Sequence, residues 1–512
     1  MTTRREFNRT CSFIAASLSA GLPIGALAAS DDAITLAYPG DVQNWDPNSA
    51  ASPVSFPIQR SVFDTPLDMS PDGQLVPGVV ARYNWLDKQA RVLELNLRPD
   101  VTFHNCDALT SDDLKFTFLT RSLDKSLMIS GVWGSSLLES VETPTPLKAV
   151  FHFREPYVVA PKLMTAVPSF ILPRRYFEKV GRAGFLAKPV GSGPYRLVDY
   201  QRDSRVVLEA YDKYWRGPAA IRRVTFQIIK DASARVSAIQ SGQVDFASGL
   251  PIRETLRLGA MPKLRSNTSP LAVDYLIQMV NKGVFRDRNV RLAMHHAIDK
   301  KLLSKAFFGG NAIPLSMWEG PGELSHDPDF EFAYDPAKAR ALLAQSGYGP
   351  DKPLTIPFST SKGVFLADYD IAQAIVQMWG KVGIKAELSV LEISKYYDMA
   401  RADQLEAPML YSWTNGIGDP AMWSGLILDP KKFFSVWRSD DISPRLDPLL
   451  REVDEEKRLA GFKAFDTWAV EQGYAMPLLK SIATVVHSSR LNYQAYRNGW
   501  LLPYAWSLKQ QS

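Results

Sequence analysis

Residues 189–249 read PVGSGPYRLVDYQRDSRVVLEAYDKYWRGPAAIRRVTFQIIKDASARVSAIQSGQVDFASG, and this stretch decides the fold. Runs of alternating apolar and polar residues predict strands, separated by a glycine–proline turn and an aromatic turn. A further segment has apolar residues at helical spacing and ends on Gly242, a residue suited to close a helix. The predicted elements are the strands Tyr195–Tyr200, Arg205–Glu209, Arg223–Ile229 and Val244–Phe246 and the helix Ala232–Ser241. Local physics therefore predicts a sheet with one helix and assigns no chemistry to it.

Three motifs in this stretch resemble the central signature of the peptide/nickel-type solute-binding proteins that serve bacterial ABC importers (solute-binding protein family 5). They are the turn at Pro189–Tyr195, the turn YDKYW at Tyr211–Trp215, and the helix that runs from Asp231 through Gly242 to Asp245. A single GSG turn is a weak signal, whereas three motifs in the family's order and spacing are a specific one. The resemblance implies an α/β fold, namely the fold of a two-lobed periplasmic binding protein (type II, large cluster C type). This fold has an extra subdomain and a hinged ligand cleft.

The resemblance covers roughly residues 62–477 and includes Leu97–Phe116, Val290–Lys300 and Val382–Leu388. In this family the first lobe is discontinuous and the chain crosses the hinge twice, which implies crossings near residues 267–274 and 487–493. The implied units are residues 29–60, 190–270 and 488–512 for lobe I, residues 61–189 for an extra subdomain of lobe I, and residues 271–487 for lobe II.

The N-terminus has the features of an export signal. Thr3–Arg9 resembles a twin-arginine motif, and an apolar region, Phe13–Ala28, follows it. Ala26–Ala28 supplies an A-x-A cleavage site, so we expect a twin-arginine-type signal peptide at residues 1–28 and a mature, periplasmic chain from Ala29. The alternative is a short membrane anchor, which is less favoured because the apolar run is shorter than the ~20 residues that a span needs.

Composition and charge are typical of a globular protein and argue against a nucleic-acid partner. The chain has 512 residues with 46% hydrophobic and 22% charged residues, which is typical of ordinary globular domains. Its formal charge is +5, and residues 1–28 carry +2 of that (three arginines against one glutamate), which leaves +3 for the rest. This weak, evenly spread charge argues against nucleic acid as a partner. The 12 Trp, 19 Tyr and 25 Phe suit a site that holds an organic solute.

Cysteine and histidine give no sign of a metal, a cofactor or catalysis. Cys11 would leave with the signal, so Cys106 has no disulfide partner within the mature chain and is interpreted as a turn or packing thiol. His104 has no second ligand at metal-binding spacing. His295 and His296 are adjacent on a predicted helix, where they point about 100° apart. We therefore interpret all three histidines as structural.

The predicted ligand site is the stretch LYSWTNGIGDP at 410–420, where an apolar strand ends in a glycine-rich loop. Such loops commonly carry ligands, and their glycines let the backbone approach a solute closely. The alternative interpretation of this loop is a tight turn with a packed tryptophan. Two further candidates, Trp45 and Lys362, lie outside the loop. The alternative for Trp45 is a packed core residue, and the alternative for Lys362 is a solvated lysine. The candidate ligand-binding residues are Tyr411, Trp413, Asn415, Gly416, Asp419 and Trp423, together with Trp45 and Lys362.

The resemblance also suggests which solutes this loop accepts. In peptide-binding members the loop resembles WxxDxxDP, and its first Asp pairs with the α-amine of the peptide. Gly416 occupies that position here, and only Asp419-Pro420, interpreted as structural, is retained. A buried ammonium needs a counter-charge, so a free-amine peptide must find another carboxylate. Otherwise the solute is a modified peptide, an opine-like or sugar-derived compound, or a metal chelate.

Three classes of function remain at this point. The first is the substrate-binding component of an ABC importer, which captures a peptide or peptide-like solute in the periplasm and delivers it, as a monomer, to the transmembrane subunits of the permease. The second is an exported hydrolase, although no G-x-S-x-G or H-E-x-x-H motif occurs. The third is a chaperone-like scaffold that uses the same cleft. The resemblance favours the first.

Overall fold

The computed structural model describes residues 32–49, 54–432 and 434–509. The predicted signal peptide, its cleavage site and Cys11 lie outside these residues. Within the described residues, the helices are all too short or too polar to cross a membrane.

Residues 189–249 contribute four strands of a seven-stranded sheet. The three longer of these strands form an antiparallel meander, and Arg223–Ile228 also pairs in parallel with Ala33–Tyr38. In spatial order the strands of this sheet are Leu264–Asn267, Val485–Ser488, Phe246–Ser248, Ala33–Tyr38, Arg223–Ile228, Arg205–Ala210 and Tyr195–Gln201.

The predicted helix forms at Ala232–Ser241, with Asp231 capping its N-terminus and Gly242 in the left-handed conformation at its C-terminus. Ala238 and Ile239 pack against one face of the sheet. The short strand that follows is Phe246–Ser248, two residues later than predicted. Its position depends on parallel pairing with Ala33–Tyr38, more than 200 residues earlier, so the local pattern could not locate it.

The PVGSGPY turn owes its glycines to a close approach by another part of the chain. It lies against the end of the helix Phe56–Val62, where the amide of Gly193 donates to the carbonyl of Val62 over 2.9 Å. A Cβ at Gly193 would lie 2.6 Å from the carbonyl carbon of Val62, and one at Gly191 would overlap its carbonyl oxygen. His104 donates its backbone amide to Gly191 over 2.8 Å, so the turn also ties in the segment that contains His104.

The second large sheet has six strands and a core of its own. Its spatial order is Ile313–Pro314, Ala475–Ile482, Pro270–Gln278, Met409–Thr414, Leu354–Thr360 and Ile384–Val390. The chain passes between the two large sheets twice, at Thr268–Ser269 and at Ala483–Thr484. The second passage lies a few residues before the predicted crossing at 487–493, because residues 485–488 already pair within the seven-stranded sheet.

A four-stranded antiparallel sheet forms a third unit with a separate core. Its strands are Val80–Trp85, Val92–Leu97, Lys148–Phe153 and Leu138–Thr145. Two small ribbons pair Leu67–Met69 with Leu75–Pro77 and Leu491–Asn492 with Ser507–Leu508.

Helices cover the three sheets. Residues 111–123 form a continuous helical segment of α, π and 3₁₀ turns, which begins with a capping box of Thr110 and Asp113. The α-helices are Phe56–Val62, Ser111–Lys115, Ile129–Trp133, Ala160–Leu163, Arg174–Ala187, Ala232–Ser241, Ile252–Gly259, Arg288–His296, Lys300–Phe308, Pro336–Gln345, Asp368–Gly380, Ile393–Arg401, Ser443–Arg451 and Glu455–Gln472. Short 3₁₀ or π turns occupy Phe116–Thr120, Arg121–Leu123, Gly283–Arg286, Pro420–Met422, Ser424–Leu428 and Pro503–Ala505.

Candidate functional site

A cavity of about 230 Å³ lies between the seven-stranded and six-stranded sheets, beside both passages of the chain. Ser269, Ala483 and Thr484 belong to those passages and line the cavity. Because these residues join the two sheets, the cavity lies at the hinge of the fold. We call it the hinge cavity.

The walls of the hinge cavity are largely apolar and aromatic. Tyr275 comes from the six-stranded sheet and Phe365 from a nearby loop, while Tyr493 and Tyr496 come from the C-terminal segment. The hydroxyl of Tyr275 donates to the carbonyl of Leu366 over 2.6 Å, so this residue presents its ring to the site and not a free hydroxyl. Such a wall favours the rings or aliphatic groups of an organic solute.

Two buried hydroxyls in the cavity wall have no hydrogen-bond partner. Ser248 ends a strand of the seven-stranded sheet, and Ser412 lies on the strand Met409–Thr414 of the six-stranded sheet. Only 7% of Ser248 and 5% of Ser412 is exposed, and neither Oγ atom is paired. Ser412 lies directly opposite Tyr275 in the strand register, so the two side chains share one face of the sheet. Buried polar groups are normally satisfied, so these two hydroxyls are available to pair with a bound solute.

The charged residues nearest to the cavity wall along the strands are turned away from it and paired. Lys480 donates to both carboxylate oxygens of Asp274, at 2.8 and 3.1 Å, and also lies 2.9 Å from Glu323. Burial, opposed by Lys480 and aided by Glu323, raises the pKa of Asp274 to about 7. Among the described residues that line the hinge cavity, none is charged.

Two buried carboxyl groups lie near each other within the six-stranded unit. Glu319 and Asp466 are 2% and 0% exposed, and each carboxyl group is close enough to affect the protonation of the other. Ser424 donates to Oδ1 of Asp466. Burial raises the pKa of Asp466 to about 8, and burial beside Asp466 raises the pKa of Glu319 well above its usual range.

This pair predicts a pH-dependent stability. Folding raises both pKa values, so the folded chain holds protons that the unfolded chain releases above about pH 4. The stabilisation is complete below that pH and is lost as the pH rises toward 8. We expect Asp466→Asn to flatten the dependence of the free energy of unfolding by about 1 kcal/mol per pH unit between pH 5 and 7. Urea unfolding at several pH values measures it. The exposed control Asp370→Asn should keep the wild-type slope, and an equal slope in Asp466→Asn would contradict this assignment.

The structure brings two of the sequence-predicted residues, Tyr411 and Trp413, into one aromatic cluster. Tyr411 is stacked on Tyr396 with ring centroids 5.2 Å apart, and its hydroxyl pairs with that of Tyr397 over 2.6 Å. Trp413 is partly exposed and donates its indole N–H to the carbonyl of Met422 over 2.9 Å. Both side chains lie on the face of their strand opposite to Ser412.

The loop after Trp413 makes contacts between units. Asn415 donates its side-chain amide to the carbonyl of Asp419 over 3.0 Å, and the carbonyl of Gly416 accepts from Asn498 over 3.2 Å. Ile417 is buried in the core of the four-stranded unit. The carboxylate of Asp419 accepts from Lys162 at 3.1 Å and from Arg458.

The remaining predicted residues have separate locations. Trp423 is 1% exposed and stacked on Trp318 with a centroid distance of 6.2 Å. Trp45 is buried in the core beside the seven-stranded sheet, in edge contact with Tyr200. Lys362 is exposed, with its ammonium 4.8 Å from the ring centre of Tyr369.

None of the eight predicted residues lines the hinge cavity, and their role in ligand binding stays a prediction. Sequence reasoning missed the hydroxyls of Ser248 and Ser412 and the tyrosines of the C-terminal segment. Strand alternation is the signal that could have found Ser412. It places the side chain of Ser412 on the opposite face of the strand from the predicted residues Tyr411 and Trp413.

The residues interpreted as structural lie in protein contacts. His104 is paired with the carbonyl of Gly193 at 3.0 Å, and His295 is stacked on Phe332 with centroids 3.8 Å apart. Cys106 is exposed, with Lys213 3.7 Å from its sulfur. In the described part of the chain, no group of three or more His, Cys, Asp or Glu side chains is arranged to hold a metal ion.

Two large α/β sheets joined by two crossing segments, with a cavity at the crossing, define the class of two-lobed periplasmic binding proteins. The model of the bacterial extracellular solute-binding proteins, family 5 (middle region), matches residues 74–434. This match covers more than half of the chain, so the protein belongs to family 5 of the bacterial extracellular solute-binding proteins. The predicted family and fold class are thereby confirmed.

Relatives in sequence and structure agree with this assignment. The dipeptide-binding protein of Escherichia coli K12 is 25% identical, over 94% of this chain and 95% of the relative. The glutathione-binding protein GsiB of Pectobacterium atrosepticum is also 25% identical, over 77% of this chain and 74% of the relative. These relatives are named as binding proteins and not as enzymes.

Solved structures share the fold over nearly the whole chain. The periplasmic binding protein DppA from Helicobacter pylori, in complex with the peptide STSA, has a TM-score of 0.81 at 20% identity and covers 93% of this chain and 98% of its own. The binding protein MoaA from A. tumefaciens R10, in complex with mannopinic acid, has a TM-score of 0.80 at 22% identity and covers 94% and 100%. At these sequence identities, the similarity shows a shared fold but does not identify the solute.

Proposed function

We propose that this protein is the substrate-binding component of an ABC importer, which captures a small organic, peptide-like solute in the periplasm and delivers it to the permease. The observation that carries the proposal is the hinge cavity, which has walls from both large sheets and an unpaired hydroxyl on each. A solute that fills the cavity contacts both sheets at once. Binding there favours the closed arrangement over any open one.

The proposed lobes follow the sheets. Lobe I consists of the seven-stranded sheet together with the four-stranded unit, and lobe II of the six-stranded sheet with its helices. The protein acts as an exported monomer, and its partners are the solute and the transmembrane permease subunits. Nucleic acid is not among the proposed partners. Its compartment is the periplasm, as for the periplasmic binding protein DppA, which shares its fold.

A solute without a free α-amine is a second candidate, and the geometry around Gly416 favours it. The nearest carboxylate of that loop, Asp419, is already paired with Arg458 and Lys162. No carboxylate in the loop 415–423 is therefore left for a peptide ammonium. A modified peptide, an opine-like or sugar-derived compound, or a metal chelate fits this arrangement better than a simple dipeptide.

The test combines a thermal-shift screen with small-angle scattering. Dipeptides, oligopeptides, glutathione, opines, oligosaccharides and metal chelates are added to the purified mature chain. A solute at 100 times its Kd should stabilise the folded chain by about 2.7 kcal/mol. The same solute should lower the radius of gyration and be recovered unchanged. Turnover of the solute, or binding of every stabilising solute without any change in shape, would exclude the proposed function.

A further inference from the structure

The hinge cavity has a property that narrows the class of solute: an uncharged wall with one buried, unsatisfied hydroxyl from each sheet. We infer that the part of the solute held there is an uncharged group, about the size of one substituted ring, whose polar atoms pair with Ser248 and Ser412. The inference rests on the proposed function and deepens it.

Charge is the first argument, because charged side chains beside the cavity wall are paired with other protein groups. Arg235 donates to the backbone carbonyls of Ser248 and Gly249 at 3.0 and 2.7 Å. Asp274 accepts from Lys480 at 2.8 Å, and Asp368, which lies near Phe365, accepts from Ser361 at 2.7 Å and from the amides of residues 363–365. A carboxylate or an ammonium in the cavity would lose its hydration and find no counter-charge in the described lining. An unpaired buried charge is far more costly than a buried neutral group.

The two hydroxyls are the second argument. Ser248 and Ser412 are at least nine-tenths buried, and their Oγ atoms are unpaired although they line the cavity. They belong to different sheets, so a solute that bonds to both links the two lobes. A hydroxyl both donates and accepts, so amide, ester, hydroxyl or carbonyl groups all suit these positions.

Size and shape are the third argument. A cavity of about 150 Å³ lined by aliphatic and aromatic groups holds benzene in another protein. The hinge cavity measures about 230 Å³, which leaves room for a ring and a few substituent atoms. The rings of Tyr275, Phe365, Tyr493 and Tyr496 supply the faces or edges against which a ring packs.

A set of probes with one ring and different charges tests the inference. N-acetyl-phenylalaninamide is uncharged, phenylalaninamide is cationic at pH 6, N-acetyl-phenylalanine is anionic, and phenylalanine is zwitterionic. Isothermal titration of the mature chain at pH 6 should give the uncharged probe a Kd at least tenfold lower than that of each charged probe. N-acetyl-glycinamide, which lacks the ring, should bind at least tenfold more weakly than the uncharged probe.

Alanine variants test the two hydroxyls. Ser248→Ala and Ser412→Ala should each raise the Kd of N-acetyl-phenylalaninamide about fivefold, since each removes one neutral hydrogen bond. Ser122→Ala is the matched control, because Ser122 is equally buried but pairs with the carbonyl of Leu119 in the four-stranded unit. Its Kd should equal that of the wild type.

Each outcome decides the inference. Equal or tighter binding of a charged probe overturns it, as does the absence of binding by all five probes, or an unchanged Kd in both cavity variants. Small-angle scattering separates this result from the proposed function. If a charged solute closes the lobes, the function stands and the inference fails, whereas a chain that no solute closes is not a binding protein of the proposed kind.

Discussion

Gly193→Ala is expected to lower the free energy of unfolding by about 3 kcal/mol, at the upper end of the usual cost of overpacking. The reason is that the new Cβ would lie 2.6 and 2.8 Å from the carbonyl carbon and oxygen of Val62, and 2.9 Å from the amide nitrogen of Phe63. These are backbone atoms at the end of a buried helix, so no side chain can rotate out of the way. The hydrogen bond from Gly193 to Val62 would also be lost or lengthened.

Urea unfolding followed by tryptophan fluorescence measures the effect. Gly131→Ala is the control, because Gly131 lies in the helix Ile129–Trp133 and nothing lies within 4 Å of its would-be Cβ. There the substitution should be neutral or stabilise by up to about 1 kcal/mol through helix propensity. Equal midpoints for Gly193→Ala and the wild type would show that the turn does not need its glycine.

The same turn shows what the sequence could and could not predict. Its glycines and proline mark a turn, and the flanking alternation predicts the strands on either side. The contact that demands the glycines is made by Val62, about 130 residues earlier in the chain. A single sequence without the family resemblance carries no signal for that contact, because it depends on how two distant segments pack.

The hinge cavity could not be predicted from the sequence for a related reason. Its wall combines residues from the crossing segments, from five strands, from the loop that contains Phe365 and from the C-terminal segment, and ordinary serines and leucines are common among them. Strand alternation places Ser412 on the opposite face from Tyr411 and Trp413 but does not say which face meets the other lobe. The glycine-rich loop was recognisable because glycine and tryptophan are conspicuous. Ile417 of that loop instead packs into the core of the four-stranded unit.

Arg458→Met is expected to lower the free energy of unfolding by about 3–5 kcal/mol, because it leaves a buried carboxylate without its main partner. Arg458, on the helix Glu455–Gln472, donates to both oxygens of Asp419 at 3.0 and 2.5 Å, and both side chains are almost fully buried. Burial alone would raise the pKa of Asp419, but the bonds and charges of Arg458 and Lys162 hold it below its usual value. Without Arg458 that pKa should rise, so the variant should recover part of its stability as the pH falls.

Two further variants separate stability from lobe closure at Asp419. Arg458→Met/Asp419→Asn removes both charges and should recover part of the loss, since replacing a whole buried pair is far milder than breaking it.

Lys162→Met removes a partly exposed lysine of the four-stranded unit, 3.1 Å from Asp419 across the interface, and should change the free energy of unfolding by no more than about 1 kcal/mol. Because that ion pair joins the two proposed lobes, Lys162→Met should weaken solute binding severalfold, while exposed Lys179→Met should not. Urea unfolding and titration with a stabilising solute measure the two effects separately. Wild-type stability in Arg458→Met, or wild-type affinity in Lys162→Met, would show that the Asp419 cluster does not join the lobes as described.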